Sequence, residues 1–108
     1  MITIDDVKKV EIRAGKILSA VSIAGSDKLL QLTVDMGEEF PRTILSGIAQ
    51  YFPEGQGLAG VTCAFISNLQ PRAMMGIESQ GMILGTNGDT FFSLLRFDDT
   101  VPPGSLVK

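Results

Sequence analysis

Apolar and polar residues alternate with a period of two along most of the chain, and that period predicts strands. The clearest run is Leu30, Leu32, Val34 and Met36 interleaved with Gln31, Thr33 and Asp35, the pattern of a strand buried on one face. Upstream, Val10, Ile12 and Ala14 hold one parity, Ile17, Val21 and Ile23 hold the other, and Gly15 stands at the change. A one-residue slip turns every later side chain to the opposite face unless a bulge absorbs it, and a glycine inside a strand often marks one. Residues 10–23 therefore read as one long strand bent at Gly15. Further strands are expected at 42–48, 61–67, 81–85 and 90–97, the last two separated by a turn at 86–89 whose Asn87-Gly88 pair is a strong hairpin signal. Residues 49–60 are rich in turn formers, with room for a short helix before Pro53. Residues 4–9 read as one helical turn, with Thr3 as its cap, Asp5 and Asp6 at the positive end, and Lys8 and Lys9 near the negative end. The tail after Phe97 reads as loop ending in a short strand.

About five main strands with little helix point to an all-β fold, a five-stranded Greek-key OB-fold barrel with short helical turns and a C-terminal extension. A long bent strand suits such a barrel because it pairs on both sides of the curve. A small sandwich is the alternative that the pattern leaves open. The chain has 108 residues, close to the common size of one domain, and shows no repeat or linker, so residues 1–108 read as a single domain. With 44% hydrophobic and 19% charged residues, disorder is not expected. No apolar run approaches the ~18 residues of a membrane span, so no membrane partner is expected. Acids precede the first apolar run, unlike a secretory leader, and with the lone Cys63 this leads to a cytoplasmic expectation.

The composition also removes chemistry. The chain has no His, which excludes imidazole-activated nucleophiles and imidazole metal sites. One cysteine builds neither a zinc site nor an internal disulfide, and between apolar neighbours it reads as a small core residue. The acid pairs Asp5-Asp6, Glu38-Glu39 and Asp98-Asp99 lack a third ligand at a recognisable spacing. The segment 55–60, GQGLAG, has the glycines of a dinucleotide loop, but a strand follows where a helix should. The segment 76–81, GIESQG, has phosphate-loop spacing, but Met82 stands where a lysine should follow. No catalytic residue, metal or cofactor is therefore expected, and the chain reads as non-enzymatic. The net charge of −3 means that any nucleic-acid face must concentrate the nine Lys and Arg.

Six segments taken in order resemble the tRNA-binding domain family, the OB-fold modules found in methionyl-tRNA synthetases and in stand-alone tRNA-binding proteins. They are IDDVKKVEIRAGKIL at 4–18, DKLLQLTVDMG at 27–37, RTILSGI at 42–48, YFPE at 51–54, NLQPR at 68–72 and GIESQGMIL at 76–84. The likeness is nearer to the synthetase-attached domain or its separate subunit than to the chaperone-like bacterial branch. It implies an OB barrel, a homodimer, and tRNA recognised by structure without chemistry, with the synthetase catalytic domain as a further partner. The same fold as a chaperone-like or protein-interaction module is the alternative.

The resemblance also implies a site. Lys16 matches the basic residue that meets the tRNA backbone, against a plain reading as a solvated strand lysine. Arg42 and Ser46 fall on one segment, where Arg42 also reads as a rim charge and Ser46 as a local backbone partner. Asn68 and Arg72 match binding-face residues, although Asn68 also suits the end of a strand, whereas the planar fork of Arg72 suits a phosphate or a stacked base. Ser79 and Met82 complete the surface, with core packing the competing role for Met82. Met74 and Met75 read as anchors of the loop to the barrel. The chain departs from the family at Ala73, where a cation is common, and at Val61, where another often stands. Each lost cation removes about one released counterion, so weak binding by the isolated module is expected.

Overall fold

In the computed structural model, which describes residues 1–108, the first element is the short helix α1 (Ile4–Val7). The Thr3 hydroxyl accepts from the Asp6 amide and the Asp6 carboxylate accepts from the Thr3 amide, a reciprocal capping box. The strands follow as β1 (Ile12–Ser22), β2 (Leu30–Asp35), β3 (Arg42–Ser46), β4 (Thr62–Ile66), β5 (Arg72–Met74), β6 (Ile77–Ser79), β7 (Met82–Ile83), β8 (Gly85–Asn87) and β9 (Phe92–Leu94). A 3₁₀ turn spans Pro53–Gly55, starting at the proline rather than ending before it.

Five strands form one antiparallel sheet in the order β3-β2-β1-β4-β7. The long strand β1 pairs with β4 through residues 12–16 and with β2 through residues 16–22, as a barrel seam requires. Closure comes from the far side, where the Gln80 amide donates to the Thr43 carbonyl at 2.8 Å, joining β3 to the segment before β7. The result is a nearly closed five-stranded barrel, as the pattern and the resemblance led us to expect. The tail runs along the start of β1, where the Ala14 amide donates to Ser105 and the Val107 amide to Ile12, both at 2.8 Å.

The bend in β1 has a different cause from the expected one. Gly15 pairs in register with Cys63, and the irregularity lies between Ile17 and Ser19. Gly15 is there for space: a Cβ on it would come within 2.6–2.7 Å of Met36, Val34 and Phe65. Ala14, Gly15 and Ile17 are buried, while Val21 is exposed. The core gathers Ile17, Leu32, Val34, Ile44, Leu58 and Phe65 inside the barrel, and Cys63 joins it. Burial pushes the Cys63 thiol up to about 11, against a weak opposing pull from Arg96, which suits the inert core role read from its neighbours.

Candidate nucleic-acid interface

Between β4 and β7 the chain leaves the barrel as an excursion, residues 68–79, whose centre is the β5–β6 hairpin. The hairpin is absent from the pattern of alternation because its strands are three residues each and its turn is Met75-Gly76. Both turn residues are left-handed, with φ of 54° and 76°, as a two-residue hairpin turn of primed type demands. Glycine meets that demand freely; Met75 adopts it at a cost of roughly 1–2 kcal/mol. Met75 is half exposed at the tip, so it does not bury itself as a loop anchor. Its methyl instead reaches the β1–β2 connection, lying 3.3 Å from where a Gly25 Cβ would be. Met74, one residue earlier, is partly covered and lines the cleft described next.

That cleft holds Leu45, Leu69, Arg72, Ser79, Gly81 and Met82. Its volume of about 90 Å³ falls far below the ~300 Å³ at which small-molecule pockets begin, so it suits the edge of a larger partner. Three of the expected site residues are therefore brought together: Arg72, Ser79 and Met82. Arg72 is exposed, its one side-chain hydrogen bond is a long 3.6 Å contact to the Met74 sulfur, and it takes part in no ion pair. Met82 is 46% exposed, which excludes the core role. Ser79, opposite Arg72 in the hairpin, is 5% exposed and turned inward. Its hydroxyl accepts from the Leu45 amide at 3.0 Å and donates to the Gly81 carbonyl at 3.3 Å, so it fastens the excursion to β3.

Arg42 lies at the foot of the same excursion. Its Nε and Nη2 donate side by side to the two carboxylate oxygens of Glu38, at 2.7 and 2.8 Å. Its Nη1 donates to the Ser67 carbonyl at 2.6 Å and to the Gln80 carbonyl at 3.1 Å. The Arg42 hydrogen bond holds the Glu38 carboxyl below its ordinary value near 4.5, and the same bond raises the guanidinium. Asn68 is exposed but engaged as well: its amide oxygen accepts from the Glu11 amide at 2.9 Å, and its nitrogen donates to the Lys9 carbonyl at 2.8 Å. Ser67 adds a bond to the Glu11 carboxylate at 2.9 Å, and this carboxylate, bound first by Arg13 and then by Ser67, also sits below its ordinary value.

The remaining two expected residues lie elsewhere. Lys16 is exposed on β1 and lines a hollow with Asp35, Thr62 and Asp99 that shares no residue with the Arg72 cleft. Ser46 lines a third hollow with Asp27, Lys28, Tyr51 and Phe92, the last two stacked with ring centres 4.1 Å apart. Sequence reasoning missed Glu38 and Gln80. Their part depends on contacts across a turn and across the barrel seam, which no spacing encodes. No group of three or more Cys, Asp or Glu is placed to hold a metal ion, and no helix is long and apolar enough to cross a membrane.

A family model described as "Putative tRNA binding domain" matches residues 12–106. Among curated relatives, the methionine–tRNA ligase of Lactococcus lactis is 46% identical over 107 residues, covering 98% of this chain and 16% of that protein. The methionine–tRNA ligase of Myxococcus xanthus is 49% identical over 105 residues, covering 96% of this chain and 15% of that protein. The chain thus spans about one sixth of the curated relatives it matches. Among solved structures, a MetRS related protein from Pyrococcus horikoshii superposes with a TM-score of 0.91 at 33% identity, covering 100% of this chain and 98% of that one. A chaperone CsaA from Bacillus anthracis superposes at 0.87 with 20% identity, covering 100% and 99%, a likeness of fold.

Proposed function

The chain belongs to the tRNA-binding domain family, and from that premise we propose that residues 1–108 form one non-catalytic module that binds tRNA by its shape. The module assists aminoacylation as the C-terminal domain or beta subunit of a methionyl-tRNA synthetase, or as a stand-alone homologue in the cytoplasm. The observation that carries the reading is Arg72. It is an exposed guanidinium without an acidic partner, on a hairpin beside an open methionine, lining a cleft too small for a small-molecule ligand. A planar cation meets phosphates in pairs of hydrogen bonds and stacks on bases, and the thioether of Met82 suits a base face. Lys16 and Ser46 border separate hollows, so they are assigned to the flanks of a broad contact that follows a folded RNA. Arg42, Asn68 and Ser79 belong to the frame beneath it.

The partner set includes a second copy of the chain. Ile4, Val7 and Val10 near the N-terminus and Leu106 and Val107 in the tail are all more than 40% exposed, apolar surface of the kind that homodimers cover. The test of the main reading is a tRNA binding titration at low salt beside an unstructured RNA of equal length. Preferential binding of tRNA that weakens steeply with salt is the expected result. Equal binding of both RNAs would sink recognition by shape.

A second reading, a protein-interaction module of chaperone type, is favoured by Ala73 in place of a cation and by the net charge of −3. It expects the chain to hold an unfolded polypeptide while no tRNA is retained at low salt.

A further inference from the structure

We infer that Arg42 is a positioning residue for the tRNA-binding face: it ties the two feet of the 68–79 excursion together and touches no RNA. The inference rests on the tRNA-binding reading above. The geometry is specific. A single nitrogen, Nη1, grips the carbonyl of Ser67, the last residue before the excursion, and the carbonyl of Gln80, the first residue after it. The other face of the fork is held by both oxygens of Glu38. Four of the five N–H donors of the guanidinium are thereby engaged inside the chain, leaving too few for a bidentate phosphate contact.

The neighbours complete a clasp. The Gln80 side-chain oxygen accepts from the Thr43 amide at 2.9 Å while the Gln80 amide donates to the Thr43 carbonyl at 2.8 Å. One residue on, the Ser79 hydroxyl takes the Leu45 amide. Ser79 and Gln80 are thus both bonded to β3, and between the two feet stand Arg72 and the left-handed turn, which no side-chain hydrogen bond ties to the barrel. A hairpin of three residues per strand is marginal by itself, so its aim is set at its feet. Glu38 keeps the fork turned toward them, so it is the second member of the device.

Three variants of the full chain test this, each with a salt-titrated tRNA binding curve and residue-resolved hydrogen exchange. Arg42→Gln removes the fork, Arg42→Lys keeps the charge, and Gln80→Ala removes an uncharged part of the clasp. The expected result is the same in kind for all three. Amides of residues 72–79 exchange at least roughly tenfold faster, those of β1 and β2 keep their protection, and tRNA affinity falls several-fold with an unchanged dependence on salt. Lysine fails to rescue because a point charge cannot hold two carbonyls and a carboxylate at once. A salt slope smaller by about one in Arg42→Gln, restored by Arg42→Lys, makes Arg42 a phosphate contact and overturns the proposal. Unchanged exchange in the hairpin, or unchanged affinity, overturns it too. Should Arg42→Gln fail to fold, the other two decide. Absence of tRNA binding by the unaltered chain removes the underlying reading and this role with it. That outcome is distinguishable because it appears before any substitution.

Discussion

The two arginines that bear on the 68–79 excursion, one beneath it and one within it, are chemically identical and structurally opposite. Arg42 stands at its foot, half-buried, with its fork closed on a carboxylate and two carbonyls. Arg72 stands on the hairpin arm, exposed, with only a long contact to a sulfur. The difference is one of pairing in a chain with net charge −3: the frame neutralises its own cation locally, and the open cation carries no acidic partner. The foot resembles a protein interior, where removing one partner leaves another unsatisfied. The arm resembles a surface, where substitutions are close to neutral for folding.

The largest expected effect belongs to the foot. Ser79→Ala leaves the buried Leu45 amide without an acceptor and should cost about 1–3 kcal/mol of stability in denaturant unfolding. A cost near zero would show that the seam does not depend on this hydroxyl. Arg72→Ala should shift stability by less than about 0.5 kcal/mol, yet lower tRNA affinity roughly tenfold, the scale of one charge-assisted hydrogen bond. If instead it unfolds the chain, the arm is part of the frame and the contrast fails.

The same contrast explains what could be read from the sequence. The barrel was legible because Leu30, Leu32 and Val34 alternate and face inward, and because a long strand before them changes parity. The reason for Gly15 was not, since the close approach of Met36, Val34 and Phe65 involves three distant segments. The resemblance supplied the candidate residues and the fold separated their surroundings. Arg72 and Met82 lie open to solvent, whereas Arg42, Asn68 and Ser79 point their polar atoms into the chain. No periodicity distinguishes a serine that faces RNA from one that caps a strand edge. The β5–β6 hairpin escaped notice because Met75 carries no turn propensity, although Gly76 beside it does.

Smaller effects sharpen the picture. Ala73 is exposed and pairs across the hairpin with Glu78. Ala73→Lys restores the cation common in the family and should raise tRNA affinity a few-fold at low salt, a gain limited by the facing Glu78. The increase should grow when Glu78→Gln is added to Ala73→Lys, and no increase at all would place the RNA away from this arm. The smallest effect is in acid. The Glu38 carboxyl is held below its ordinary value near 4.5, so its pairing with Arg42 stabilises the fold above that value and is lost as pH falls through the depressed one. The stability of Glu38→Gln should accordingly differ from that of the unaltered chain above about pH 5 and converge with it in stronger acid. A constant difference down to pH 2 would show that the charge on Glu38 is not what holds the fork.

The central claim is that the arm meets the RNA and the foot does not. It is tested most directly by the salt dependence of tRNA affinity for the unaltered chain and for Arg72→Ala. The slope of log affinity against log salt should fall in magnitude by about one in Arg72→Ala, as one phosphate contact is lost. An unchanged slope and unchanged affinity in that variant would contradict the account.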